Sequence, residues 1–226
     1  MKVKLLLLAT VFFSYIVFVP MVANRGGFAA AVQESIYGSV GIFSICGGES
    51  LYGGGTIVGK NGEILTVSHI VPSSNCEIVV KTTNSTRVFG AKVLKVDTIR
   101  DLALITINIP TENRMYLADK KLMAGETIFT VGSPSRLQGS VTKGIVSNTE
   151  VETPSTPGAI IYDITVLPGS SGGGVFNEYG DLAGVIKATL TASATGNTLA
   201  IGIRRQAIED FLKENMPNEN YSRKMF

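Results

Sequence analysis

Leu167-Pro168-Gly169-Ser170-Ser171-Gly172-Gly173-Gly174 crowds four glycines around Ser171 between strongly apolar flanks. Such a run reads either as a plain glycine-rich hairpin or as a loop that presents Ser171 as a nucleophile. A serine hydroxyl is a poor nucleophile at its ordinary pKa, so the second reading needs a neighbouring base and donors aimed at a developing oxyanion. Glycine supplies the donors' geometry: Gly169 can adopt angles closed to other residues, which lets its N–H and that of Ser171 converge. Gly172 and Gly173 keep side chains away from a substrate.

The base and its partner are sought elsewhere in the chain. One histidine is present, so an imidazole base must be His69, in the apolar run Glu63 to Val71 that reads as a buried strand ending at the histidine. A lone histidine more often plays a structural part. The acid is Asp101, placed immediately before the apolar run Leu102 to Ile105, where a buried carboxylate can fix an imidazole tautomer. Asp97 is the competing acid.

In the order His69, Asp101, Ser171, these segments resemble the trypsin-like, chymotrypsin-fold serine proteases, and more closely the protease domain of the HtrA/Deg group. The likeness also covers Gly53-Gly54-Gly55-Thr56-Ile57-Val58, Val131-Gly132-Ser133-Pro134, Val141 to Ser147, Asp163 and Gly180-Asp181-Leu182-Ala183-Gly184-Val185. It extends from about Val40 to Leu212. Two positions depart from the group: Ser170 stands where it usually has asparagine, and Gly174 where it usually has alanine. The resemblance implies an all-β fold of two six-stranded antiparallel β-barrels of the chymotrypsin type. A short C-terminal helix follows, and an N-terminal hydrophobic helix precedes. It further implies a serine endopeptidase with catalytic residues His69, Asp101 and Ser171, and an oxyanion hole from the N–H groups of Gly169 and Ser171. The implied substrates are unfolded or extended polypeptides. Thr165 would form the pocket base, and Lys187, Ala188 and Thr189 the strand along which substrate lies. No cofactor is implied, and no PDZ module follows. The competing class is a protease-fold binding or scaffold protein without turnover, motivated by Ser170 and Gly174.

The domain reading places a signal peptide or membrane anchor at residues 1–31, the protease domain at 32–214 and a polar tail at 215–226. Within the domain the barrels span about 40–108 and 122–203, with the helix at 204–214. Lys2 and Lys4 precede an apolar run from Leu5 to Ala23, near the length that spans a bilayer. For cleavage, Ala29-Ala30-Ala31 offers small residues but lies far downstream, and a cut after Ala23 would place Met21 at the third position back, so the reading leans to an uncleaved tether. Both readings put the mature chain outside the cytoplasm, tethered or secreted. Strands are predicted at Glu77 to Thr82, Arg87 to Lys95 and Leu102 to Ile107, with a linker from Ile109 to Lys121. Turns are expected at Asn84-Ser85, Gly132 to Pro134, Pro154 to Gly158 and Gly196-Asn197. Cys46 and Cys76, an even pair in an exported chain, favour a disulfide over two buried thiols. A net charge of +2 without basic clusters excludes nucleic acid as the obvious partner. With one histidine and no close cysteine pair, a metal site is excluded as well.

Overall fold

Short strands with one wet and one dry face need a closed surface to bury the dry one, and this chain closes two. The computed structural model describes residues 27–83, 85–133, 137–153, 156–191 and 198–223. The first barrel contains β1 (Ser39–Cys46), β2 (Glu49–Ile57), β3 (Glu63–Thr66), β4 (Glu77–Thr82), β5 (Val88–Asp97) and β6 (Leu102–Thr106). It closes in the order β1-β2-β3-β6-β5-β4. β4 shows why it closes: Ile78, Val80 and Thr82 are buried while Glu77, Val79 and Lys81 are exposed. The closing pair joins β1 to β4 with Val40 opposite Thr82 and Ile42 opposite Val80. All pairs in both barrels are antiparallel, so tight turns connect most of them.

The second barrel uses β7 (Thr127–Gly132), β8 (Ser140–Thr153), β9 (Thr156–Asp163), β10 (Gly174–Asn177), β11 (Leu182–Thr191) and β12 (Thr198–Arg204). Its order is β10-β11-β12-β9-β8-β7. Tyr162 fills its interior, fully buried, with a hydroxyl that finds no hydrogen-bond partner among the described residues. Burial alone pushes that phenol far above its ordinary range. A single apolar cluster joins the first barrel to Phe129, Phe176 and Leu182 of the second and to Ile208, Phe211 and Leu212 of helix α2 (Arg205–Asn215). The spacing of those three residues gives α2 one apolar face, as its sequence predicts.

The segment between the barrels is strung to both. Met115 N–H donates to Ile57 O (2.8 Å), and Ala118 N–H to Leu182 O (2.9 Å). The polar tail is not a loose end either: Leu117 bridges both Leu182 and Ser222. The Tyr221 hydroxyl reaches the last turn of α2 at Leu212 O (3.1 Å).

The structure corrects several expectations. The predicted strand from Glu63 to Val71 stops at Thr66. Turn bonds from Ile70 N–H to Val67 O and from Val71 N–H to Ser68 O then curl the chain, so His69 sits on a turn. The helix that precedes the barrels is α1 (Gly27–Tyr37). Its Ala31 packs against Gly180, and the Phe28 ring meets Phe129 edge-on at 5.4 Å. Ala29-Ala30-Ala31 is therefore the docked first half of a helix. The membrane-spanning reading is also corrected: among the described residues no helix is long and apolar enough to cross a membrane. The segment from Leu5 to Ala23 lies outside the described residues, as do Asn84, Pro134, Pro154 and 196–197 of the expected turns.

Cys46, the last residue of β1, is disulfide-bonded to Cys76, immediately before β4, with Cα atoms 4.5 Å apart. The bridge staples one end of the strand pair that closes the first barrel. A loop with a sequence separation of 30 stabilises by about 3 to 4 kcal/mol in the chain-entropy treatment. The Cys46→Ser/Cys76→Ser double variant should therefore melt many degrees lower than the parent in non-reducing calorimetry. An unchanged melting temperature would show that the bridge does not constrain the unfolded chain.

Candidate active site

Asp101 occupies the turn between β5 and β6 with φ at 56°, a left-handed conformation that aspartate tolerates better than most residues. That geometry turns its buried carboxylate back onto the His69 turn. Oδ1 accepts the Ser68 hydroxyl at 2.8 Å and the His69 backbone N–H at 3.0 Å. The His69 ring Nδ1 lies 3.0 Å from Oδ2. A nitrogen facing a carboxylate carries the proton, which leaves Nε2 free to accept one. Burial alone would raise the Asp101 carboxyl, but the hydrogen bond and charge of His69, with the Ser68 hydroxyl, hold it below its ordinary value. Asp97 does something else: it accepts from Ile99 and Arg100 N–H and pairs with the Arg100 guanidinium at 2.6 Å. Arg100 then reaches Glu214 of α2 at 3.1 Å.

The serine loop lies between β9 and β10. Gly169 and Gly172 both have positive φ, 95° and 84°. The Ser170 hydroxyl accepts from Leu167 N–H (3.2 Å), and Gly173 N–H donates to Ser170 O (3.0 Å). Local bonding by a serine thus holds the loop where the related group has asparagine. Gly172 N–H donates to Ile186 O and Ile186 N–H to Gly173 O, which fixes the loop to β11 at 2.8 and 2.9 Å. Across the barrel boundary, Gly54 N–H donates to Ser171 O at 2.7 Å. A Cβ at Gly172 would stand 2.3 Å from Gly54 O and 2.4 Å from Thr66 Oγ1. At Gly174 it would meet Phe176 and Thr56 at 2.6 Å, so this packing has no room for alanine. Among the described residues, the N–H groups of Gly169 and Ser171 have no backbone acceptor.

His69 and Ser171 line one open cleft of about 360 Å³, walled by Val166, Leu167, Ile186 and Lys187-Ala188-Thr189. The Ser171 hydroxyl donates to Lys187 O at 3.2 Å. Among the described residues no hydrogen bond joins it to His69. Free proteins of this kind often hold such contacts loosely until substrate arrives. Thr165 does not line the cleft: it is exposed between buried Ile164 and Val166, and its carbonyl accepts from Thr142. Past the end of β9, buried Val166 lines the wall instead. Sequence reasoning places Lys187 on the substrate strand and leaves open a side chain turned into the cleft toward an acidic substrate residue, without foreseeing Asp101 as its partner; it passes over Ser68 and Tyr52. The Tyr52 ring and Ser133 O both lie where a Gly169 Cβ would project. The Lys187 Nζ stands 3.8 Å from Asp101 Oδ2. Of the two passed over, only Ser68, beside the lone histidine, leaves a trace in the sequence.

The depressed Asp101 carboxyl fixes the sign of a stability effect. A group whose folded pKa is lowered stabilises the fold above its unfolded value, and that contribution is lost as pH falls through the folded value. Asp101→Asn keeps the shape and tolerates the same backbone angle. It should lower unfolding free energy by about 1 to 3 kcal/mol at pH 7. The gap should begin to narrow as pH falls below the ordinary value of 3.8, where the unfolded carboxyl takes up its proton, and close only below the lowered folded value. Urea unfolding at pH 7 and pH 3 measures it, and a gap independent of pH would contradict the charge assignment.

Curated relatives include a probable periplasmic serine endoprotease DegP-like from Pseudomonas putida, 35% identical over 147 residues, covering 62% of this chain and 30% of the relative. Its counterpart from Brucella suis is 29% identical over 171 residues, covering 72% and 33%. The chain thus spans about a third of the length of these relatives. Among solved structures, the serine endoprotease from Yersinia pestis superposes with a TM-score of 0.71 at 22% identity, covering 84% of this chain and 67% of that one. The HtrA-type protease AlgW with a tripeptide superposes with 0.74 at 23%, covering 85% and 64%. These two likenesses speak for the fold. The family model for the trypsin-like peptidase domain matches residues 53–185, more than half of the chain and inclusive of His69, Asp101 and Ser171; the chain belongs to the trypsin-like peptidase domain family.

Proposed function

We propose that this protein is a serine endopeptidase of the HtrA/Deg type that cleaves extended polypeptides outside the cytoplasm. The observation that supports it most is that Ser171 from one barrel and His69 from the other line the same cleft, with Asp101 bonded behind the His69 ring. Ser171 Oγ rotates from Lys187 O to His69 and attacks the scissile carbonyl as Nε2 takes its proton. Asp101 holds the ring in that tautomer and balances the imidazolium. The oxyanion is received by Gly169 and Ser171 N–H, in a site where fixed donors act more strongly than water. The intermediate then expels the amine, which takes the proton from His69. Water, deprotonated by the same ring, releases the acyl group from Ser171.

Substrate adds as a strand along Lys187-Ala188-Thr189, so backbone bonds dominate recognition. Val166, Ile186, Ala188 and Thr189 surround the side chain before the cut. With no carboxylate among the described residues that line it, a buried Lys or Arg would stay unpaired at a cost of several kcal/mol. Lys187, drawn toward Asp101, does not offer its cation to an acidic side chain. Small or medium aliphatic residues fit best. The disulfide suits an oxidising compartment, and the relatives named above carry periplasmic in their names.

A fluorophosphonate probe should label the folded protein stoichiometrically at Ser171. Peptide-library digestion should then yield cuts after Ala, Val, Ile or Leu, and Ser171→Ala or His69→Ala should reduce the rate by roughly 10⁴-fold or more. A folded protein that takes no label and cuts nothing would instead be a binding protein on a protease fold. Dominant cutting after Lys, Arg, Asp or Glu would show the pocket misread.

A further inference from the structure

Asp101 Oδ2 is shared. The His69 Nδ1 lies 3.0 Å from it on one side, and the Lys187 Nζ lies 3.8 Å from it on the other. Lys187 comes from β11 of the second barrel, whereas Asp101 and His69 belong to the first. Its side chain is only 16% exposed, so solvent and salt screen this contact less than they would a surface pair. The same residue's carbonyl accepts the Ser171 hydroxyl. One residue therefore touches the acid with its cation and the nucleophile with its backbone.

We infer that Lys187 is a positioning residue that sets the acid limit of the site by competing with the protonated His69 ring for Asp101. An imidazolium at His69 gains from the carboxylate beside it. A fixed ammonium on the same oxygen offsets part of that gain, so the ring stays neutral, and ready to accept a proton, at lower pH than it would with Asp101 alone. Among the described residues this balance falls to those two charges. The β5–β6 turn contributes Asp101, while its Asp97 and Arg100 are bound to each other and to Glu214. β11 contributes Lys187, and the serine loop and the His69 turn contribute only the hydroxyls of Ser171 and Ser68. The neutralising effect belongs to the side chain and is separable from the carbonyl that holds Ser171, which survives any substitution.

The kinetic part of this inference rests on the peptidase reading, but its electrostatic part does not. Because His69 is the one histidine in the chain, its ring protons can be followed by NMR without ambiguity and without turnover. In K187M, and in K187Q as a second neutral variant, the midpoint of the His69 titration should rise by about half to one pH unit. The acid limb of kcat/KM should move up with it. K187R, which keeps the charge, should stay near the wild type in both readouts. A lower kcat in the neutral variants with an unmoved midpoint and limb would reduce Lys187 to a structural prop and overturn the inference. A shifted midpoint in a protein that hydrolyses nothing would uphold Lys187 and remove the peptidase reading. Active wild type with an unmoved midpoint would do the reverse.

Discussion

The hydrogen bond from Gly54 N–H to Ser171 O is the contact on which the site depends, because it is where the second barrel's loop is fastened to the first barrel's wall. Neither barrel holds a complete set of reacting groups. His69 and Asp101 are fixed by turns at the rim of the first, and Ser171 by a loop of the second. The junction works because it is stripped of side chains: Gly53 and Gly54 on one side face Gly172 and Gly173 on the other, and Thr66 donates to Gly54 O at 2.7 Å. A methyl group at Gly172 would separate the two carbonyl-lined surfaces. The glycine clusters in two distant parts of the sequence are thus one structural feature.

Charge within the site follows from the same arrangement. Asp101 is buried and held in an unusual backbone conformation, both unfavourable for a carboxylate on its own. Donors from Ser68 and His69 compensate, and Lys187 approaches from across the cleft. Asp97, only four residues earlier, is spent on Arg100 and, through it, on anchoring the turn to α2. The division of labour between the two aspartates comes from where β5 ends and β6 begins.

Much of this was legible in the chain. The serine loop is compact in sequence, and the lone histidine and the acid before Leu102 leave few alternatives, so the three side chains gathered at the cleft could be named in advance. Alternating strands such as β4 read directly. What could not be read are contacts that depend on register or on distant partners. Thr165 and Val166 lie just past the end of β9, where no alternation tells which of two neighbours turns inward. Lys187 meets Asp101 only because two barrels close against each other. Nothing in the small residues of α1 announces that Ala31 packs against Gly180, far along the chain. The polar composition of the tail hides several docking side chains: Tyr221 reaches α2, Ser222 bonds Asp119 and Arg223 pairs with Glu34.

The most direct test of the two-barrel site is a crystal structure of the protein reacted with a peptide phosphonate. The account requires phosphorus on Ser171 Oγ and the phosphonyl oxygen within about 3 Å of the N–H groups of both Gly169 and Ser171. His69 Nε2 should face the leaving-group side, with the Gly54–Ser171 bond intact. An adduct whose phosphonyl oxygen points to solvent, or whose formation breaks the bond to Gly54, would contradict it.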